Sequence, residues 1–289
     1  MQLYLDVAAS GVLVGCVYAL IAAGLTLVFG VMRVVNIAHG ETVVIGMYVG
    51  YFSFSLLGLP PVLSALVAAA ALFVFGYLMQ QYLVAPVLRR PLHVQFLLYI
   101  GLALAITGLQ AILFGPNGRS ILDGGTFRVY EVFGLRLDGA KTQAGAAALV
   151  LMAVLWLFLR YSTLGKSIRA CASNHTGAQV VGIRIDRVFA ITSGIGAACA
   201  GAAGALIAAL FDTHPLLGGE FTLLAFVVVT LGGLGSFPGA LLGGLLIGVS
   251  EGIAAVLTQP SIKSLFSYGL LILVLLLRPY GIFGRKDVA

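Results

Sequence analysis

Four polar side chains that could bind a solute or carry a proton lie close together between two apolar runs. They occupy the stretch 33–41 and are Arg33, Asn36, His39 and Glu41. If this stretch is helical, its three-residue spacing places the first three side chains on one face. Gly30 and Gly40 would let the helix unwind on either side. The stretch therefore predicts either a broken helix whose polar side chains form a site or a short loop whose charges are solvated.

A second feature combines a glycine-rich stretch with an isolated acid. The stretch 232–239 contains four candidate residues, which are Gly232, Gly233, Gly235 and Ser236. Glycine costs a helix roughly 1 kcal/mol per residue relative to alanine, so we expect a tight turn or a close approach of two backbones. Glu251 follows in an apolar segment, where an acid should face the interior and find a partner. A structural hydrogen bond and a functional role are both open for this carboxylate.

The third feature is a basic amphipathic stretch that we call the elbow, residues 162–183 within the basic segment 160–187. Ser162 or Thr163 can cap a short helix at its start. The apolar stripe of that helix consists of Leu164, Ile168, Cys171 and Ala172. A stripe of this kind needs a surface that covers it.

The elbow is expected to contain a second helix. Asn174 and Gly177 would end the first helix, and a short second one can run over 178–181. Two short helices with an apolar ridge have the shape to enter a groove on another protein. The alternative is a basic helix that lies on lipid headgroups.

The other residue patterns do not match common enzymatic or metal-binding motifs. The four histidines are scattered and are His39, His93, His175 and His214. They form no H-x-x-x-H pair, and Ser236 lacks a G-x-S-x-G motif. Gly165-Lys166-Ser167 resembles the end of a phosphate-binding loop, but Arg160 stands where that loop needs a glycine. We therefore expect no catalysis, no cofactor and no metal in this chain.

The composition indicates which kind of secondary structure must position these residues. Of 289 residues, 61% are apolar and 9% are charged, against roughly 45–50% and 25% in soluble domains. A soluble globule of this size would need more surface charge, and a disordered chain would need far fewer apolar residues. The 38 glycines suit helices that pack closely in lipid. The composition therefore predicts an all-α fold, a polytopic bundle of transmembrane helices.

Charge-free intervals locate the membrane spans, since about 20 apolar residues cross the hydrocarbon core. The intervals are 7–32, 42–88, 91–118, 142–159, 188–211, 221–250 and 264–277. The second must hold two spans, hinged at 58–61, and 221–250 is broken by its glycines. We expect eight or nine spans with broken helices, forming a single membrane domain over 1–289, because no loop is long enough for a separate core.

Basic residues orient the spans. The net charge of +6 fits basic cytoplasmic loops better than nucleic-acid binding. Segments 160–187 and 89–93 and the C-terminus are basic, so we place them in the cytoplasm, which leaves the mixed loop 116–141 outside. If 31–41 is a full cytoplasmic turn, the N-terminus is external, whereas a break inside one helix reverses its side.

Taken in order, these segments resemble the permease subunits of branched-chain amino acid ABC transporters, specifically the first of the two related permeases in such systems. The matching stretches are GLTLVFGVMRVVNIAHGE at 24–41, the elbow, LGGLGS at 231–236 with PGA at 238–240, and RPYGIFG at 278–284. The resemblance covers nearly the whole chain. The elbow departs from the family pattern, because Cys171-Ala172-Ser173 is less charged and His175-Thr176 replaces a more typical proline-containing turn.

The resemblance implies an ATP-driven importer of branched-chain or related amino acids in the bacterial inner membrane. Its implied partners are a second, related permease, two cytoplasmic ATP-binding subunits and a periplasmic substrate-binding protein, with no nucleic acid. ATP chemistry would belong to the partner subunits, and their closure would act on the elbow to switch the cavity between outward- and inward-facing states. The implied coupling residues are Ser162, Thr163, Leu164, Gly165, Ile168, Arg169, Asn174, Ala178 and Gly182.

Together with the membrane setting, the resemblance also suggests where the pathway runs. Polar groups at membrane depth are costly unless they face a cavity or one another, which favours a broken helix at 33–41 that meets the glycine turn. The expected pathway residues are Arg33, Asn36, His39, Glu41, Gly232, Gly233, Gly235, Ser236 and Glu251. Among these, Arg33 is expected near the cytoplasmic gate rather than in contact with substrate.

Two other functional classes are weighed beside the importer. An ion-coupled secondary transporter of small polar solutes would also use broken helices and an intramembrane acid, with 30–40 and 232–239 as corresponding positions of related halves. The large elbow speaks against it. A membrane-embedded enzyme would lose a chemical product when His39, Ser236 or His214 is replaced. Related permeases serve leucine, isoleucine and valine, but also urea, amides and aromatic acids.

Overall fold

The computed structural model describes residues 2–88, 90–121, 129–132, 134–257 and 263–284. Eleven α-helices lie within these ranges: α1 Gln2–Met32, α2 His39–Leu57, α3 Pro61–Met79, α4 Leu92–Phe114, α5 Gly139–Tyr161, α6 Thr163–Ser173, α7 His175–Val180, α8 Ile185–Ile207, α9 Gly218–Gly232, α10 Phe237–Leu257 and α11 Lys263–Leu277. A π-helical turn, Gln80–Val84, continues α3, and a 3₁₀ turn, Pro215–Leu217, leads into α9.

A short hairpin adds strands to a fold predicted to be all-α. Strands β1, Val129–Val132, and β2, Leu135–Asp138, pair antiparallel. They lie in the predicted external loop 116–141, of which 122–128 and 133 are outside the described residues. Asp138 then caps α5 by accepting a hydrogen bond from the Lys141 amide. The hairpin does not change the fold class, because every long element is a helix.

Eight helices of the described chain are long and apolar enough to cross a membrane, and α11 is a shorter apolar helix. The prediction of eight or nine spans in a helical bundle is therefore confirmed. The predicted hinge is also confirmed: α2 ends at Gly58, whose φ of 64° is left-handed, and α3 begins at Pro61. Proline suits this first helical position because its missing N–H has no intrahelical partner there.

Helices α1 and α8 form the centre of the bundle. In their apolar windows 78% and 83% of residues are buried, compared with 11% for α4. Helix α1 packs against α10, α8 and α5, while α8 packs against α3 and α2. Small residues allow the close approach: a Cβ on Gly11 would lie 2.6 Å from the carbonyl oxygen of Gly248. Such backbone contact is typical of helices that associate in lipid.

The two ends of α1 lie at opposite faces of the protein. At its start, the Gln2 side-chain amide donates to the Gly134 carbonyl at 3.0 Å, beside the hairpin. At its end, His175 of the elbow contacts the Val31 carbonyl at 2.7 Å. The N-terminus therefore shares a face with loop 116–141, and the turn after α1 shares the other face with the elbow. This is the geometry expected if 31–41 contains a full turn on the elbow's side.

Candidate functional site

The chain leaves helical geometry immediately after α1. Arg33 adopts a φ of 55°, a left-handed conformation that few residues other than glycine adopt. Residues 33–38 are not helical, so the condition under which Arg33, Asn36 and His39 would share one helical face is not met. Arg33 is exposed, as the loop interpretation requires. Asn36, His39 and Glu41 are buried, as the broken-helix interpretation requires.

After the break, the chain turns back along α1. The His39 Nε2 atom lies 3.0 Å from the carbonyl oxygen of Ile21, eleven residues before the end of α1, or roughly 16 Å of helical rise. A carbonyl only accepts, so Nε2 carries the proton in this contact. Helix α2 consequently begins inside the bundle rather than at the elbow face.

The start of α2 meets the start of α9, and we call this contact the α2–α9 junction. The Gly40 amide donates to the Thr222 hydroxyl at 2.9 Å, and that hydroxyl donates to the Ile37 carbonyl at 2.9 Å. A Cβ on Gly40 would overlap the carbonyl oxygen of Gly218. Sequence reasoning missed Thr222 and Gly218, because an uncharged threonine in an apolar run gives no sign of its partner.

Glu41 is the buried acid of the junction. Its carboxylate lies against Gly218, the first residue of α9, and its Oε2 is 3.5 Å from the Thr222 hydroxyl. Helix N-termini favour negative charge, so the starts of α2 and α9 both stabilise this carboxylate. The Gln110 side chain of α4 donates to the Glu41 carbonyl at 3.3 Å, and this bond ties a third helix to the junction.

Two buried acceptors at this level have no hydrogen-bond partner in the described part of the chain. They are Asn36 Oδ1 and Gln110 Oε1. Buried polar atoms are almost always satisfied by protein or by ordered water. The chain near the junction therefore holds two buried acceptors whose hydrogen-bonding capacity is unused in the described part of the chain.

A cavity of about 1040 Å³ opens where α1 ends, between α5, α6 and the turn that joins α9 to α10. Arg33, Gly235 and Ser236 line it, so three of the expected pathway residues are brought together. Ile168 and Arg169 of the elbow line the same cavity. The other six expected pathway residues are not among its lining residues.

The glycine stretch forms a tight turn with close backbone contacts, as expected. Helix α9 ends at Gly232, and Ser236 caps α10 by accepting from the Gly239 amide at 3.2 Å. Gly233, with a φ of 102°, packs against the backbone of Gly284. The Phe283 amide donates to the Gly232 carbonyl at 3.0 Å. These contacts anchor the C-terminal segment to the turn.

Glu251 faces the interior and has partners, as expected. It accepts hydrogen bonds from the Tyr18 hydroxyl at 3.0 Å and from the Ser267 hydroxyl at 3.1 Å. These bonds join α10 to α1 and α11. The carboxylate lies apart from the cavity's lining residues, and its contacts in the described chain are those of a structural cross-link.

The elbow folds as two short helices with caps at both starts. The Ser162 hydroxyl accepts from the Gly165 amide, and the Asn174 side chain accepts from the Gly177 amide, each at 2.9 Å. The Asn174 cap starts α7 at His175, three residues earlier than the predicted 178–181. Gly177 therefore lies inside the second helix instead of separating the two.

The inner part of the elbow's apolar stripe faces this chain and not a partner. Ile168 is 2% exposed and Cys171 is fully buried. They pack in a cluster with residues of α1 that include Val28 and Val31, and burial raises the pKa of the Cys171 thiol. Ile168 and Cys171, two residues of the predicted apolar ridge, are therefore covered by this chain itself, and docking of the elbow on another protein stays a prediction. These two residues attach the elbow to the end of α1.

The exposed apolar side chains of the elbow are few, and most of them lie outside the predicted stripe. Leu164 is partly exposed, and Val180 is 83% and Val181 74% exposed. Among the expected coupling residues, Thr163, Arg169, Asn174 and Gly182 are also exposed, whereas Gly165 and Ala178 are buried. In the sequence, this surface is indicated by two consecutive valines within the basic segment 160–187.

Comparison with known proteins agrees with this architecture. The family model described as "Branched-chain amino acid transport system / permease component" matches residues 7–275. The chain is 33% identical over 292 residues to the high-affinity branched-chain amino acid transport system permease protein LivH of Salmonella typhimurium, covering 96% of this chain and 95% of LivH. It is 33% identical to BraD of Pseudomonas aeruginosa, covering 99% of this chain and 97% of BraD.

A third relative is the high-affinity branched-chain amino acid transport system permease protein LivM. The chain is 27% identical over 299 residues to LivM of Escherichia coli, covering 92% of this chain and 67% of LivM. No solved structure matches the chain. The family model and the near-complete coverage of LivH and BraD lead to one conclusion: this multi-pass membrane protein belongs to the family of branched-chain amino acid transport permeases.

Proposed function

We propose that this chain is the permease subunit of an ATP-driven importer for branched-chain or related amino acids in a bacterial inner membrane. The observation that carries the proposal is the elbow. Its buried stripe is packed against the end of α1, while Leu164, Val180 and Val181 are left exposed. An element that is attached to a pathway helix and also presents apolar side chains is suited to receive force from a partner.

We propose that the elbow face is cytoplasmic and that the hairpin face, with the N-terminus, is periplasmic. The support is charge: Lys166, Arg169, Arg184 and Arg187 lie in or beside the elbow, as cytoplasmic segments require. Two ATP-binding subunits would then dock at the elbow, and a substrate-binding protein would dock at the opposite face. Arg89, Arg285 and Lys286, which the sequence also assigned to the cytoplasm, lie outside the described residues.

We propose that the chain pairs with a second, related permease. The likeness to both LivH and LivM, two permease proteins of one named transport system, supports this pairing. Helix α4 buries only 11% of its apolar window in this chain, so its outer face is available to a partner or to lipid.

We propose that the pathway runs from the α2–α9 junction to the cavity beside Arg33. Discontinuous helices whose N-termini meet inside the membrane commonly form the substrate site of transporters. The Glu41 carboxylate and the free acceptors of Asn36 and Gln110 would bind the ammonium group of an amino acid. His39 would hold the start of α2 in place, and Gly235 and Ser236 would line the exit.

Uptake into proteoliposomes tests the proposal. The chain would be reconstituted with a paired permease, ATP-binding subunits and a substrate-binding protein, and radiolabelled leucine uptake would be measured with and without internal ATP. We expect uptake that requires ATP and the binding protein and that persists with proton and sodium ionophores. Uptake by this chain alone that collapses with ionophores would instead assign it to the ion-coupled secondary transporters.

A further inference from the structure

Among the described residues, the cavity at the end of α1 is lined by three arginines and by no acid. Arg33 enters it from the end of α1, Arg160 from the end of α5 and Arg169 from α6. Within the described residues the only ion pair joins Arg136 to Glu131, in the hairpin. The three guanidinium groups therefore share one cavity in which the described part of the chain places no carboxylate to neutralise them.

The backbone at Arg33 is strained in a way that serves this arrangement. Its left-handed φ of 55° persists only where the surroundings determine it, and such strain concentrates at functional sites. Met32 and Val34 on either side are each 6% exposed and pack into the core. The left-handed residue between them lets the arginine reach the cavity while both neighbours stay buried.

Most of the other lining residues are apolar or aromatic, and Thr26, Ser173 and Ser236 add hydroxyl groups. The apolar and aromatic ones include Leu27, Phe29, Leu159, Phe237 and Phe283. Trp156 also lines the cavity, and the Arg160 guanidinium lies 5.0 Å from its ring centroid and 5.6 Å from that of the neighbouring Tyr161. Tryptophan and tyrosine are enriched where a membrane meets water. The cavity thus combines three guanidinium groups with mainly apolar walls.

We propose that this cavity binds an anionic phospholipid. The planar guanidinium of arginine matches phosphate oxygens in two-point contacts, and basic pockets between helices at the cytoplasmic side bind anionic headgroups. The phosphate would lie among Arg33, Arg160 and Arg169, with the acyl chains along the α5 side of the cavity, so that the side formed by the turn between α9 and α10 stays open as the proposed exit. Its assignment to the inner leaflet rests on the orientation proposed above, whereas the binding chemistry does not depend on it.

A lipid in this position would connect elements that belong to different parts of the mechanism. Arg169 is on the elbow, Arg33 follows α1, and Gly235 belongs to the turn between α9 and α10. A phosphate held by both arginines would keep the elbow aligned with the end of α1. Removal of anionic lipid is therefore expected to weaken the coupling of ATP hydrolysis to transport without preventing membrane insertion.

Native mass spectrometry of the detergent-purified chain, titrated with phosphatidylglycerol or phosphatidylcholine, tests the proposal. We expect one tightly retained phosphatidylglycerol and at least tenfold weaker binding of phosphatidylcholine. The R160Q/R169Q variant should weaken phosphatidylglycerol binding at least tenfold, and R33Q should weaken it several-fold. The control K166Q/R184Q removes the same charge from elbow positions outside the cavity and should leave binding unchanged. Far-ultraviolet circular dichroism would establish that each variant is folded.

Three outcomes would overturn the proposal. The first is equal weakening by the control and the cavity variants, which would indicate a general electrostatic effect. The second is competition by glycerol phosphate or inorganic phosphate at concentrations similar to the lipid, which would assign the site to a free phosphate compound. The third is unchanged lipid binding together with loss of ATP-binding subunits from the R160Q/R169Q complex, which would assign these arginines to docking.

Discussion

Replacement of Glu251 tests whether its carboxylate is a structural cross-link between helices or a residue of the transport pathway. The carboxylate is 8% exposed and accepts two hydroxyl hydrogen bonds, from Tyr18 on α1 and from Ser267 on α11. In E251Q the shape is kept and both charge-assisted bonds become neutral, with one of the two hydroxyls now accepting from the new amide NH2 because a single acceptor oxygen remains. Since a charge-assisted bond contributes about 1 kcal/mol more than a neutral bond, we expect a loss of about 1–2 kcal/mol in the free energy of unfolding.

The alanine variant provides the upper limit of the effect. In E251A both hydroxyl groups lose their acceptor in a buried site, and each unsatisfied group costs about 1–3 kcal/mol. With the cavity left by the side chain, we expect a loss of about 3–5 kcal/mol. S267A removes one donor, and the lost charge-assisted bond should cost about 1.5–3 kcal/mol. The expected order of stability is therefore wild type, then S267A and E251Q, then E251A.

Two assays are needed to interpret this series. Unfolding in mixed micelles, followed by circular dichroism, measures stability, and leucine uptake by the reconstituted complex measures transport. If the carboxylate is structural, uptake by E251Q should stay within about threefold of wild type after correction for folded protein. Normal stability and normal ATP hydrolysis with abolished uptake in E251Q would refute the structural interpretation and move Glu251 into the pathway.

Three further predictions concern the junction and the elbow. T222V removes the acceptor of the Gly40 amide and the donor to the Ile37 carbonyl, so we expect a loss of about 2–3 kcal/mol in unfolding free energy and at least tenfold lower uptake. G40A places a methyl group on the carbonyl oxygen of Gly218, and we expect a loss of at least about 2–3 kcal/mol, measured by the same unfolding assay. V180D puts a charge on the exposed end of the elbow, and co-purification should show at least tenfold weaker retention of the ATP-binding subunits with unchanged unfolding.

Each of these changes has a matched control in the chain. T192V alters a buried threonine whose hydroxyl has no partner in the described part of the chain, so stability should be unchanged or slightly higher. G101A adds a methyl group where nothing lies within 4 Å and should be neutral. V129D changes an exposed valine of the hairpin, on the opposite face, and should not affect retention of the ATP-binding subunits. Equal effects of a control and its partner variant would contradict the corresponding prediction.

Local chemistry determined the membrane spans and the main breaks of this fold, and the sequence was sufficient to find them. The apolar runs predicted the spans because hydrocarbon selects for continuous apolar residues regardless of their neighbours. The hinge at 58–61 and the break within 232–239 follow from proline and glycine, whose backbone restrictions act within a few residues. The Ser162 cap is equally local, since its acceptor and donor are three residues apart.

Only the tertiary structure decided which polar groups meet. Segment 33–38 turns back along α1 so that His39 contacts Ile21, and Thr222 joins a helix that begins almost two hundred positions away in the chain. No local pattern encodes these pairings, because they depend on how the helices stack. In lipid both the buried and the outward faces of a helix are apolar, so periodicity does not reveal the core face.

In the elbow, too, the sequence predicted the local element and the tertiary structure decided its contacts. The amphipathic pattern identified its helix and its apolar stripe, but a stripe states only that some apolar surface covers it. The structure covers Ile168 and Cys171 with the end of α1 and leaves Val180 and Val181 uncovered. Sequence determined that an apolar face exists, and tertiary packing determined which of its residues remain for a partner.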